Sequence, residues 1–127
     1  MANLLFVDDE QFIIMGMKRL FKALASELEI DYATSGKEAL SKIQSKNFDV
    51  IITDLFMPEI DGIELLEKVK ETQPNTVRII MTGHIDASFE KMKNDLAHII
   101  LSKPIRNEAL IDTIRNCIYN KEKFKQQ

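Results

Sequence analysis

The chain has 127 residues, 45% of them hydrophobic and 29% charged, the size and balance of one globular domain with one core. Its formal net charge of -3, with 17 Lys and Arg scattered along the chain, excludes a basic stripe tracking a phosphate backbone, so direct nucleic-acid binding is not expected. No apolar run approaches the ~20 residues of a spanning helix, so no membrane insertion is expected, and the single Cys117 fits a reducing, cytoplasmic setting as a small buried side chain.

The first apolar run, residues 3–7, stops at Asp8 and Asp9. Ile13, Met17, Leu20, Leu24 and Leu28 then step by three or four and predict a helix, while Phe12, Met15, Phe21 and Leu24 read as core with some surface spill. In residues 28–32, Glu29 and Asp31 alternate with apolar residues, the pattern of an edge strand with one wet face. Residues 35–46 carry Ala39, Leu40 and Ile43 at helical spacing, with Thr34 or Ser35 as cap and Glu38 placed to complete a capping box.

The third run, 48–53, leads into Asp54; Asp61 and Gly62 read as the turn and start of a helix marked by Ile63, Leu66 and Val69. A fourth run, 77–82, ends at Thr82, and Ile85, Phe89, Met92 and Leu96 predict another helix. The fifth run, 97–101, is followed by Lys103 and Pro104, with Pro104 suited to the first turn of a last helix bearing Ile111, Ile114 and Ile118. Of the two histidines, His84 falls in a loop and His98 at a strand start, neither at metal-ligand spacing. Residues 1–120 read as one domain and residues 121–127 as a polar tail.

Strand and helix thus alternate five times. Near-continuous apolar runs such as Val50-Ile51-Ile52 and Ile79-Ile80-Met81 suit strands buried on both faces, so the pattern predicts an α/β domain with a parallel sheet, helices on both faces and right-handed crossovers. In such sheets the working site lies outside the carboxyl ends of the strands. Those ends bring Asp8, Asp9, Asp54, Thr82 and Lys103 to one crevice. Three carboxylates placed together repel unless a cation lies among them, and a hard divalent ion with oxygen ligands, most simply Mg²⁺, meets that need.

The run Leu5-Phe6-Val7-Asp8-Asp9-Glu10, the run from Asp54 through Leu55, Phe56, Met57, Pro58, Glu59, Ile60 and Asp61 to Gly62, and the pairs Thr82-Gly83 and Lys103-Pro104 together resemble the signature of response-regulator receiver domains. The likeness covers essentially the whole chain, and four short motifs in register with the strand pattern are far more specific than any one of them. The resemblance implies a CheY-like, flavodoxin-like fold: a five-stranded parallel sheet of order 2-1-3-4-5 with five helices on both faces. It implies that Asp54 accepts a phosphoryl group from a sensor histidine kinase or a phosphotransfer protein. Asp8, Asp9, Asp54 and the backbone carbonyl of Phe56 would hold Mg²⁺, while Lys103 and the Thr82 hydroxyl would meet phosphoryl oxygens. A downstream protein target or an output domain would read the phosphorylated state.

Three departures from the pattern stand out. Ile100 replaces the aromatic residue that many receivers carry three positions before the lysine, residues 94–97 lack the small residues usual there, and Phe56 is larger than the residues of rapidly self-dephosphorylating members. A haloacid-dehalogenase-type phosphatase would need a second Asp where Phe56 stands, and a dinucleotide-binding enzyme would need a Gly-rich loop that the chain lacks. The remaining alternative is a receiver-like interaction module that works without phosphorylation.

Overall fold

The computed structural model describes residues 1–83 and 95–124. β1 (Ala2–Val7), β2 (Leu28–Ala33), β3 (Val50–Asp54), β4 (Val77–Thr82) and β5 (Ile99–Ser102) form one sheet in the order β2-β1-β3-β4-β5, every pairing parallel. This is the predicted order. Four α-helices lie among the described residues: α1 (Gln11–Leu20), α2 (Gly36–Ser45), α3 (Gly62–Thr72) and α4 (Asn107–Tyr119). The further helix expected from Ile85, Phe89, Met92 and Leu96 falls almost entirely outside the described residues, as does His84.

Alternation along the strands divides the core into two layers. Leu5 and Val7 of β1 join Ile51, Ile80, Ala39, Ile43, Leu65, Leu66 and Val69, so α2 and α3 cover one face. Leu4 and Phe6 join Ile52, Ile79, Ile14, Leu110, Ile114 and Cys117, so α1 and α4 cover the other. With both faces covered, the central strands need no polar side, which is why their sequences read as unbroken apolar runs. β2 lies at the edge, with Glu29 exposed and Leu28 and Ala33 buried.

The stripe that predicts a helix through Leu28 is cut short. The α-helix ends at Leu20, a 3₁₀ turn spans Phe21–Leu24, and Leu28 opens β2 opposite Ala2. Phe21, Leu24 and Leu28 all enter the same apolar layer, so the period continued across a change of structure because one core takes residues from both sides of it. Phe12 and Met15 stay exposed.

Local capping follows the sequence closely. Ser35 Oγ accepts the Glu38 amide at 3.0 Å, and Glu38 Oε1 accepts the Thr34 amide at 2.6 Å, so both candidate cap residues take part. Asp61 caps α3 by accepting the Glu64 amide at 2.9 Å. Pro104 does not enter a helix: it follows a cis Lys103-Pro104 peptide, and α4 begins only at Asn107. The C-terminal stretch Lys121–Phe124 forms a 3₁₀ turn whose Phe124 is 8% exposed and packs into the α1/α4 layer.

At the amino ends of the strands, Gln73 ties three elements together. Its amide nitrogen donates to the carbonyls of Ile43 and Lys46, and its amide oxygen accepts the Phe48 N–H, each at 2.9 Å. This end of the sheet is therefore pinned, while the opposite end carries the functional groups.

Candidate functional site

Register brings the carboxyl ends of four strands level. Val7 pairs with Thr53, Asp54 with Met81 and Thr82 with Ser102, so Asp8 and Asp9 just past β1, Asp54 closing β3, Thr82 closing β4 and Lys103 just past β5 converge on one rim. Carboxylate oxygens of Asp8, Asp9 and Asp54 lie within 4.8 Å of one another. Asp8 is 1% exposed and Asp9 is open to solvent.

Among the described residues, Lys103 brings positive charge to the cluster. Its Nζ lies 3.2 Å from Asp8 Oδ2 and 3.5 Å from Asp54 Oδ1. Backbone donors steady the carboxylates: the Glu10 amide donates to the other Asp8 oxygen, Oδ1, and the Leu55 amide donates to the same Asp54 Oδ1 that faces Lys103, both at 2.9 Å. Burial pushes the Asp54 carboxyl above its usual range and the Asp8 charge adds to this, while Lys103 and the Leu55 N–H oppose it without cancelling it. Burial works against the Lys103 ammonium too, but Asp8 and Asp54 outweigh it and hold its pKa above the ordinary lysine value.

Thr82 is 1% exposed, and its carbonyl accepts the Lys103 N–H at 2.8 Å, tying the ends of β4 and β5 together. Phe56, two residues beyond Asp54, is 61% exposed, whereas its neighbours Leu55 and Met57 are buried in the α2/α3 layer. The loop after β3 is thus anchored on both sides of Phe56. The candidate site residues Asp8, Asp9, Asp54, Thr82 and Lys103 therefore lie at this one rim.

The sequence did not reveal how the rim is walled. Thr34, Ser35, Lys37, Pro58 and Glu59 line a crevice with Asp9, joining the turn before α2 to the loop after β3. Glu59 sits at φ 66°, a left-handed conformation uncommon for residues with a side chain, and no sequence signal marks it. Glu10 is exposed beside the cluster.

Five parallel strands, two helical layers and an acidic rim with one bridging lysine define a doubly wound α/β domain with its chemistry at the carboxyl edge. The chain belongs to the response regulator receiver domain family, whose model matches residues 4–115. It is 34% identical over 122 residues to the uncharacterized transcriptional regulatory protein YesN of Bacillus subtilis, an alignment covering 93% of this chain and 33% of that protein. The chain therefore spans about a third of that relative's length. Among solved structures it is similar to a CheY-like receiver domain from Methanospirillum hungatei, with 27% identity, TM-score 0.87 and coverage of 97% and 98% of the two chains. It is also similar to the response regulator TrrA of Thermotoga maritima in complex with Mg²⁺ and BeF, with 28% identity, TM-score 0.73 and coverage of 91% and 98%. The domain is a signalling module of two-component response regulators.

Proposed function

We propose that this receiver accepts a phosphoryl group on Asp54 from the phosphohistidine of a sensor histidine kinase or a phosphotransfer protein, in a Mg²⁺-dependent reaction. Phosphorylation would then change its affinity for a downstream protein or an output domain. The observation that carries the proposal is Lys103 bridging Asp8 and Asp54 inside a cluster of three carboxylates. A single ammonium leaves that cluster with excess negative charge, and the Asp54 carboxyl is pushed upward by burial first and by the Asp8 charge in addition.

The donor set fits a hard cation. Asp8, Asp9 and Asp54 offer oxygens only, at mutual distances one ion can span, and the backbone carbonyl of Phe56 is proposed as a further ligand. Mg²⁺ bound there supplies positive charge beside the oxygens of the transferring group. The TrrA complex with Mg²⁺ and BeF supports the same reading.

The chain's own residues then act in sequence. Asp54, ionised, attacks phosphorus; the new O–P bond forms as the P–N bond of the donor breaks, and the electron pair leaves with the imidazole. Lys103 and the Thr82 hydroxyl meet the phosphoryl oxygens, a kind of preorganised contact worth roughly 10²–10³ in rate per donor. The added charge draws the Thr82 hydroxyl toward the phosphoryl oxygens, and that rearrangement at the end of β4 alters the surface a partner reads. The domain assists its own phosphorylation and dephosphorylation and turns over no separate small-molecule substrate. Residues 1–120 are proposed as the receiver unit with 121–127 leading from it, and the cytoplasm as its place of work.

Incubation with acetyl phosphate and Mg²⁺, followed by intact-mass measurement, tests the proposal. Wild-type protein should gain one phosphoryl group, and Asp54→Asn should gain none. An unmodified wild type would favour an interaction module independent of phosphorylation, and a modified Asp54→Asn would move the acceptor elsewhere.

A further inference from the structure

The loop between Asp54 and α3 is held in place by two close backbone approaches that only glycine allows. A Cβ built on Gly36, the first residue of α2, would lie 2.6 Å from the carbonyl oxygen of Ile60, 2.7 Å from its Cβ and 2.8 Å from its Cγ2. One built on Gly62 would overlap the Asp54 carbonyl oxygen and come within 3.0 Å of Leu55 Cα. No atom of that size fits at either point without moving backbone.

Between these contacts the loop closes on itself. The Gly62 N–H donates to the Leu55 carbonyl at 2.9 Å, Asp61 is committed to capping α3, and Leu55 and Met57 are buried. Glu59 in the left-handed region marks the cost: a residue with a Cβ holds that conformation only when its surroundings over-determine it. The remaining freedom of the loop is its distance from α2, and that distance is set by Ile60 against Gly36.

We infer that Gly36 is a positioning residue for the site. Through Ile60 it fixes where the Phe56 carbonyl and the Asp54 carboxylate stand relative to Asp9. The turn before α2 and the loop after β3 already share the crevice lined by Asp9, Thr34, Ser35, Lys37, Pro58 and Glu59, so a shift at Gly36 is a shift of one wall of the site. The inference rests on the proposed Mg²⁺ role of that rim and adds a residue that touches neither metal nor phosphoryl group.

Mg²⁺ affinity, measured by calorimetry on folded protein without any phosphodonor, is the readout. Gly36→Ala should weaken binding by about tenfold, the size seen when groups supporting a metal ligand are removed. Ile43→Ala, which loosens the same helix away from the site, serves as a control for lost stability and should leave the constant within about twofold of wild type. If Gly36→Ala does not fold, Ile60→Ala decides: it removes the packed Cγ2 without adding an atom and should weaken Mg²⁺ by about threefold. A folded Gly36→Ala with the wild-type constant, a folded Ile60→Ala with that constant when it must decide, or an Ile43→Ala as weak as Gly36→Ala overturns the inference. Wild-type protein that binds no Mg²⁺ sinks the functional proposal together with it, whereas wild-type binding with unaffected variants sinks this inference alone.

Discussion

At the proposed Mg²⁺ site, Lys103 and the ion would compete for the same two carboxylates. The ammonium lies 3.2 Å from Asp8 and 3.5 Å from Asp54, so removing it takes away both a rival for the metal and a partner for the phosphoryl oxygens. Lys103→Met should therefore bind Mg²⁺ at least as tightly as wild type by calorimetry, while phosphorylation by acetyl phosphate slows by roughly 10²-fold. Weaker Mg²⁺ binding in the variant would mean that the lysine organises the carboxylates and does not compete for them. Phe56 acts differently. Two residues beyond Asp54, its ring is 61% exposed beside a buried Leu55 and Met57, and its proposed role is to screen the acyl phosphate from attacking water. Phe56→Asn offers a polar side chain that can orient that water, and the phosphorylated variant should decay several-fold faster in a time course of intact mass. Equal or slower decay contradicts the screening role.

At the scale of elements, the amino end of β4 holds a buried pair that the apolar pattern of residues 77–82 conceals. Arg78 is 2% exposed, and its guanidinium donates to the carbonyls of Leu96, Thr76 and Pro74 at 2.6, 3.3 and 3.4 Å. Its amide donates to His98 Nδ1 at 2.9 Å, which places the imidazole proton on Nε2, and the imidazole packs edge-on to Phe124 with ring centroids 5.7 Å apart. Burial and then the Arg78 charge push His98 down from its ordinary 6.5 to about 4. In the unfolded chain the imidazole takes up its proton below about 6.5, whereas in the folded chain it resists down to about 4. The unfolded state therefore binds more protons across that window, and stability falls as the pH falls through it, by about 3 kcal/mol in total. Urea unfolding followed from pH 7 to pH 4 should show this slope in wild type and a flatter one in His98→Gln. Glu27, held below the carboxylate range by its bonds to Arg115 and Tyr119, acts lower on the scale. An unchanged slope in the variant would assign the acid sensitivity to other groups.

For the whole molecule, what the sequence discloses depends on whether a residue's role is local or shared. The rim was legible because each motif sits at a strand end, and a parallel sheet carries Asp8, Asp54 and Thr82 to one edge, while the strand order followed from the resemblance of those motifs to receiver domains. The cap of α2 was legible because Ser35 and Glu38 meet within one turn. Gly36 against Ile60, Arg78 under Leu96 and Gln73 beneath Phe48 were not, since each depends on a neighbour 18 to 25 residues away that only the closed fold supplies. Phe124 belongs to the same class. Among Lys and Gln its segment reads as a polar tail, yet its ring is 8% exposed and fills the α1/α4 layer edge-on to His98. A side chain so placed at the rim of a core contributes less than a central phenylalanine, so Phe124→Ala should cost about 2 kcal/mol, below the usual range for buried aromatic truncation. The same change opens His98 to water, which relieves its desolvation and lets its pKa climb back toward 6.5. Phe124→Ala should therefore be less stable than wild type at pH 7 and lose less of its remaining stability between pH 6.5 and 4. A variant with wild-type stability at pH 7 would show that the last turn rests on the domain without holding it together.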